Sequence, residues 1–281
     1  MLNLVPLLIG TGVGLALHFT VGWWGFLVVF PWIGLAVSIG IAMTRTLPPA
    51  RKGLGRRVGI TLAAPALLLF VPLTNHENFQ LEGVLMIVMV GYFSKGFIHY
   101  AVAKLAGPLI WGRGFCGWAC WTAAALEWLP VRKGSQPIGT GPRRLRYASL
   151  LVSIAIPAVL VFAYHYDVRG AYIGRAEVGW MFAGNAVYYL LAVPLAFLMS
   201  DRRAFCKVLC PVSLVMKVPT RFALLRKRPS GAGCTECGAC TRACPMDVDV
   251  MGYISAGRPV ADTECIYCNS CKQRCPSGAI R

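Results

Sequence analysis

Cys234-x-x-Cys237-x-x-Cys240-x-x-x-Cys244-Pro245 is followed about 20 residues later by Cys265-x-x-Cys268-x-x-Cys271-x-x-x-Cys275-Pro276. Three closely spaced thiolates suit three irons of one cubane, and the fourth cysteine of each run reaches across to the other cluster. The expected ligand sets are therefore Cys234, Cys237, Cys240 and Cys275 for one [4Fe–4S] cluster. The other cluster takes Cys265, Cys268, Cys271 and Cys244. Zinc is the plainer use of clustered cysteines, but paired zinc sites use two Cys-x-x-Cys hooks with a longer gap between them. Disulfides need an oxidising compartment, and all 12 cysteines fall in motifs with no stray pair left over. A pair of cubanes moves single electrons, so the rest of the chain is read for where those electrons come from and go.

Outward from this run, the segment 229–281 is expected to be a small α+β domain of the two-cluster bacterial ferredoxin type. The remainder has a different composition. Across 281 residues, 57% are hydrophobic and only 14% charged, which is the balance of a membrane protein. The formal charge is +17, but the basic residues lie between apolar stretches and form no aromatic-laced stripe on a soluble module, so nucleic acid is not an expected partner.

Six apolar stretches are expected to span the bilayer: 1–20, 22–43, 57–73, 82–104, 146–165 and 179–199. The first has no basic leader and no clear cleavage site, so it reads as a retained helix and not a secretory signal. The loop at 44–57 holds Arg45, Arg51, Lys52, Arg56 and Arg57 without an acid, and the loop at 104–146 is basic apart from Glu127. The alternate loops carry only Arg169 and Arg175. Lysine and arginine stay on the cytoplasmic side. Both termini and the ferredoxin segment are thus expected in the cytoplasm, the spans in the inner membrane. The run Arg226-Lys227-Arg228 is expected at the anionic lipid surface. The divisions that follow are 1–81 for N-terminal membrane helices, 82–228 for a membrane core and 229–281 for the ferredoxin domain.

The four other cysteines form a repeat. Phe115-Cys116-Gly117-Trp118-Ala119-Cys120 recurs 90 residues later as Phe205-Cys206-Lys207-Val208-Leu209-Cys210, each copy beyond the inner end of a span. In a helix, thiols at i and i+4 share one face. Two such pairs brought together would converge Cys116, Cys120, Cys206 and Cys210 at the membrane surface, as a third metal centre or a redox dithiol pair. Buried packing of small apolar thiols is the plainer alternative.

Apolar spans, two Cys-x-x-x-Cys motifs and a C-terminal double cysteine run together resemble the NapH/NosR/CcoG group of membrane polyferredoxins, and within it NapH and MauN most. The likeness covers roughly residues 82–281. Cys206 to Pro211 matches the group's Cys-x-x-x-Cys-Pro, whereas the first copy has Trp121 in place of proline, and the two spans before residue 45 have no counterpart expected in NapH. The resemblance implies electron exchange between the quinol/quinone pool and a partner redox protein subunit, with chemistry at a substrate on another subunit. The alternative it carries is a CcoG-like copper reductase or maturation factor, for which four soft thiolates would suit Cu(I). Proton acceptors for a quinone site are sought in His76 with Glu77, or His165 with Asp167. Lys95 is expected to snorkel to the cytoplasmic surface.

Overall fold

The structure is a computed structural model and describes residues 3–48, 51–92, 94–131, 133–134, 136–173 and 175–281. Met1 and Leu2, at the head of the first expected span, lie outside it.

Val5–Val21 and Phe26–Thr46 form the expected hairpin, turned at Gly22, whose φ of 81° is the left-handed conformation that glycine adopts without strain. The two helices meet through glycines. A methyl group on Gly10 would run into the Phe30 carbonyl, and one on Gly34 into that of Pro6. Small residues at such a seam allow the backbones to close where lipid tails are as apolar as leucine. Arg45 donates to the Asn3 side chain, so the start of the first helix and the end of the second lie at one face.

Lys52–Asn75, Thr140–Ala163 and Ala176–Leu198 complete the long apolar helices. With Phe26–Thr46 they make four, among the described residues, that are long and apolar enough to cross a membrane, and Val5–Val21 is shorter at 17 residues. Two of the long helices carry wide i→i+5 turns beside prolines. Ala66–Phe70 lies between Pro65 and Pro72, and Val159–Ala163 follows Pro157. Proline removes a backbone donor and clashes with the preceding turn, and the ladder re-forms at wider spacing.

Six continuous spans are not what forms, and the departure is at the fourth. Residues 82–104 divide into Leu81–Met89 and, after a break containing Gly91 at φ 65°, the consecutive segments Lys95–Tyr100, Ala101–Ala106 and Gly107–Trp111. Hydropathy runs on across the break, but buried polar residues stabilise it. The Glu77 carboxylate accepts from the Lys95 amide at 3.2 Å, and Ser94 Oγ caps the Phe97 amide at 3.3 Å. Irregular backbone at membrane depth is tolerated where protein surrounds it. Lys95 consequently sits at the head of this helix, with its ammonium 5.9 Å from the Trp23 ring, and does not snorkel to the basic end.

The α+β expectation also fails. Among the described residues there is no strand, only an isolated antiparallel bridge between Pro229 and Ile280. The amides of Arg228 and Arg281 each donate to the other's carbonyl, but cysteine turns and the short helices Ala239–Arg242, Val250–Ser255 and Ser270–Arg274 take up the chain between them. No third segment is left to extend the pair.

Candidate iron–sulfur centres

The two cysteine sets expected from the spacing are brought together as two separate cavities. Cys234, Cys237, Cys240 and Cys275 line one, with Met251, Ile254 and Ile280. Cys244, Cys265, Cys268 and Cys271 line the other, with Val248, Val260 and Ile266. The fourth cysteine of each run thus crosses to the opposite cavity. Positive φ at Gly238, Tyr267 and Asn269 turns the chain so that successive thiols point the same way. Lys227 also lines the second cavity, its ammonium 3.8 Å from the Tyr267 ring. It is buried there and not at the lipid surface the sequence led one to expect.

The Cys-x-x-x-Cys repeat forms two matching corners. Gly114–Trp118 follows the helix ending at Trp111, and Ala204–Val208 follows the helix ending at Leu198. Each is succeeded by a second short helix, Trp121–Leu126 or Val212–Thr220. Pro211 and Trp121 occupy equivalent places where a helix begins and an amide has no intrahelical partner, so either residue is accommodated. The tryptophan gains a contact, since its Nε1 donates to Asn185 Oδ1 at 2.7 Å. Cys116, Cys120, Cys206 and Cys210 all lie within electrostatic reach of one another. Burial first, and then the charge of the other three, pushes the Cys210 thiol above its ordinary value, and burial with Cys116 and Cys206 pushes Cys120 up to about 12.

Around these thiols the chain places buried cations. Arg113 and Arg203 stand three residues before the first cysteine of each copy, a shared Arg-x-Phe-Cys that the sequence displays openly but that is easily passed over. Arg203 donates to the Cys116 carbonyl at 2.8 Å, tying the second copy to the first. The same guanidinium pairs with Glu127, which also holds Arg56 at 2.7 Å. Lys104 is fully enclosed among Tyr100, Trp121 and Phe115, its ammonium 4.2, 4.9 and 5.5 Å from their rings. Buried in this way with no carboxylate pairing, it favours negative charge nearby.

The ferredoxin segment is docked on this layer through two acids beside its own cysteines. Glu264 pairs with Arg113, Arg146 and Lys217, the last two at 2.8 and 2.6 Å. Asp247 pairs with Lys133, Arg143 and Lys207, the first two at 2.7 and 2.9 Å. Trp118 Nε1 donates to the Tyr267 carbonyl at 3.1 Å. Gly117, between Cys116 and Cys120, lies so close to Ile266, between Cys265 and Cys268, that a methyl group would strike the Ile266 carbonyl oxygen. The four-cysteine layer and the second cavity are therefore in backbone contact. His165 and Asp167 are exposed, and Asp167 caps the Gly170 amide, while His76 ends a helix in the left-handed conformation.

Among the described residues, no three His, Cys, Asp or Glu side chains converge tightly enough to clasp a single ion. A tetrahedral zinc–thiolate site would hold its sulfurs about 3.8 Å apart. A cubane spreads its thiolates over four irons, and the two cavities ringed by four cysteines each have the donor set it requires.

Comparison with known proteins agrees with this geometry. Residues 233–280 match the family model of the 4Fe-4S dicluster domain, and residues 100–138 and 185–230 that of the 4Fe-4S binding domain. The chain is similar to YccM of Escherichia coli, named for electron transport, at 28% identity over 62% of this chain and 52% of that one. It is similar to the regulatory protein NosR of Stutzerimonas stutzeri at 24% identity, over 77% of this chain and 36% of NosR. It is also similar to the methylamine utilization ferredoxin-type protein MauN of Methylorubrum extorquens at 26%, over 66% and 70%. The chain thus spans about half the length of YccM and about a third of NosR. No solved structure matches it. Cysteine cavities, apolar helices and these likenesses define a membrane protein with 4Fe-4S binding domains. Within that class the chain is similar to the ferredoxin-type protein MauN and to NosR.

Proposed function

We propose that this chain relays electrons between the quinol/quinone pool and a partner redox protein through three iron–sulfur centres in series. Cys234, Cys237, Cys240 and Cys275 hold the outermost [4Fe–4S] cluster, and Cys244, Cys265, Cys268 and Cys271 the middle one. Cys116, Cys120, Cys206 and Cys210 hold the third, at the membrane surface. The observation that carries this reading is the contact between Gly117 and Ile266, which joins the loop of the innermost thiols to that of the middle cluster. The match of both Cys-x-x-x-Cys stretches to a 4Fe-4S binding domain supports iron there. When bound, such clusters accept and give single electrons at potentials set by charge, hydrogen bonds and burial.

The chain's own residues do the rest. Arg113, Arg203 and Lys104 bring positive charge to the inner thiolates, Glu264 and Asp247 fix the distance between layers, and burial excludes water. The basic loops all gather at the end of the bundle that carries the ferredoxin segment, which supports cytoplasmic termini and an inner-membrane location. A CcoG-like copper site has less support, because both Cys-x-x-x-Cys stretches match a 4Fe-4S binding domain. The test is reduction by a quinol, followed by EPR. In Cys116→Ser and Cys206→Ser the ferredoxin clusters assemble and dithionite reduces them, but quinol no longer does. Unimpaired quinol reduction in both variants would remove the inner centre from the path.

A further inference from the structure

Between the N-terminal hairpin and the helix carrying His99 lies an apolar cavity of about 330 Å³. Its membrane walls are aliphatic and aromatic, with Ile9, Val13, Phe30, Ile33 and Val102 among them, and its inner end is formed by Phe115, Trp118 and Ala119 of the first Cys-x-x-x-Cys corner. Tyr267 and Asn269, which flank Cys268, reach the same end. The volume is that of a small-molecule pocket, and such pockets carry a few polar groups in an apolar lining. Here one of them is His99. It is 4% exposed, it packs between the Phe30 and Phe79 rings at 5.3 and 5.8 Å, and its Nε2 has no hydrogen-bond partner among the described residues. An imidazole nitrogen enclosed without a partner carries a desolvation cost. A ligand bearing a carbonyl or hydroxyl would relieve that cost.

We propose that this cavity binds the head group of an isoprenoid quinone, with the His99 imidazole as its polar contact. The proposal rests on the quinol-linked reading above and locates its site. The occupant must be apolar enough to leave a bilayer, flat enough to lie among Phe30, Phe115 and Trp118, and equipped with ring oxygens for one imidazole. It must also have a use for a place beside two sets of cluster cysteines. A lipid acyl chain meets only the first condition. The hairpin of Val5–Val21 and Phe26–Thr46, which the family resemblance leaves unexplained, gains a role as the outer wall of the site.

Binding of decylubiquinone to the full chain in quinone-free nanodiscs tests this, read as quenching of the fluorescence of Trp111 and Trp118, both of which line the cavity. His99→Phe keeps the ring packing and removes the nitrogens, and Ala103→Phe fills the space. Each is expected to weaken binding tenfold or more while leaving iron content and thermal melting near wild type. His99→Gln, which retains a donor and an acceptor, is expected to recover part of the affinity. Unchanged affinity in both His99→Phe and Ala103→Phe would overturn the site. So would equal displacement of the probe by decylbenzene, which has the tail but no ring oxygens and would identify a lipid-chain groove. If quinol reduces the clusters of wild type and of both variants alike, the quinol-linked reading stands and only this location falls. If wild type binds the probe in the cavity but quinol never reduces its clusters, the site stands and the relay reading falls.

Discussion

Replacing Glu264 by glutamine should detach the ferredoxin segment from the membrane part. Glu264 is 6% exposed and faces Arg113, Arg146 and Lys217, which come from three different membrane-side elements. Burial alone would raise its pKa, but Arg113 and then Arg146 and Lys217 hold it well below the usual carboxylate range. The amide keeps the shape and removes the charge, leaving three cations with no anion between them. Removing one member of a buried ion pair costs about 3–5 kcal/mol. At 1.4 kcal/mol per decade, that is roughly two to three and a half orders of magnitude in the docked-to-undocked equilibrium. Arg113 lies in the turn between two short helices, is 1% exposed and pairs with Glu264 of the segment, so tryptic cleavage after Arg113 reports the undocked population. Cleavage should accelerate by about a hundredfold or more, and Arg146→Met in the same chain should recover part of the loss by removing one stranded cation. Iron content measured in parallel separates undocking from loss of a cluster. Cleavage within about threefold of wild type, with iron intact, would refute the view that this acid holds the two layers together.

Other consequences follow from the same contacts. Gly117→Ala puts a methyl group against the Ile266 carbonyl, so it should also speed cleavage after Arg113 and slow electron passage from inner to middle centre, seen by stopped-flow absorbance. Lys104→Met should lower the midpoint potential of the inner centre by roughly 70 mV, the effect of a unit charge at about 10 Å in a medium of dielectric constant about 20. An EPR redox titration checks the sign, and a rise would show that Lys104 does not serve that centre. Glu127 is pushed up by burial, but Arg203 and Arg56 more than reverse this, so its folded pKa lies well below the unfolded value near 4.3. Its contribution to stability is therefore full above about pH 5 and lost as pH falls through the carboxylate range. Glu127→Gln should melt lower than wild type at pH 7, and the gap should narrow in acid.

The grouping of the eight ferredoxin cysteines about two cavities was legible because it is written in local spacing, with Cys244 and Cys275 each lining the cavity of the other run. The Cys-x-x-x-Cys repeat was legible for the same reason. The acids that dock the layers were not, since Glu264 lies 118 residues from Arg146 and Asp247 lies 104 from Arg143. Nothing local marks such pairs. Charge in the basic loops was read for orientation alone, yet Arg56, Arg113, Arg146 and Arg203 are buried ion-pair partners. The span broken near Gly91 was missed because a hydropathy window averages over one glycine and one serine cap. His99 was passed over because its environment depends on Phe30 and Phe79, each at least 20 residues away in the chain.

Iron and acid-labile sulfide per chain, measured on anaerobically purified protein, test the central claim most directly. Three cubanes require about 12 irons in wild type and about 8 in Cys116→Ser or Cys206→Ser. About 8 irons in wild type, unchanged in both variants, would leave the four inner thiols without a cluster and contradict the three-centre relay.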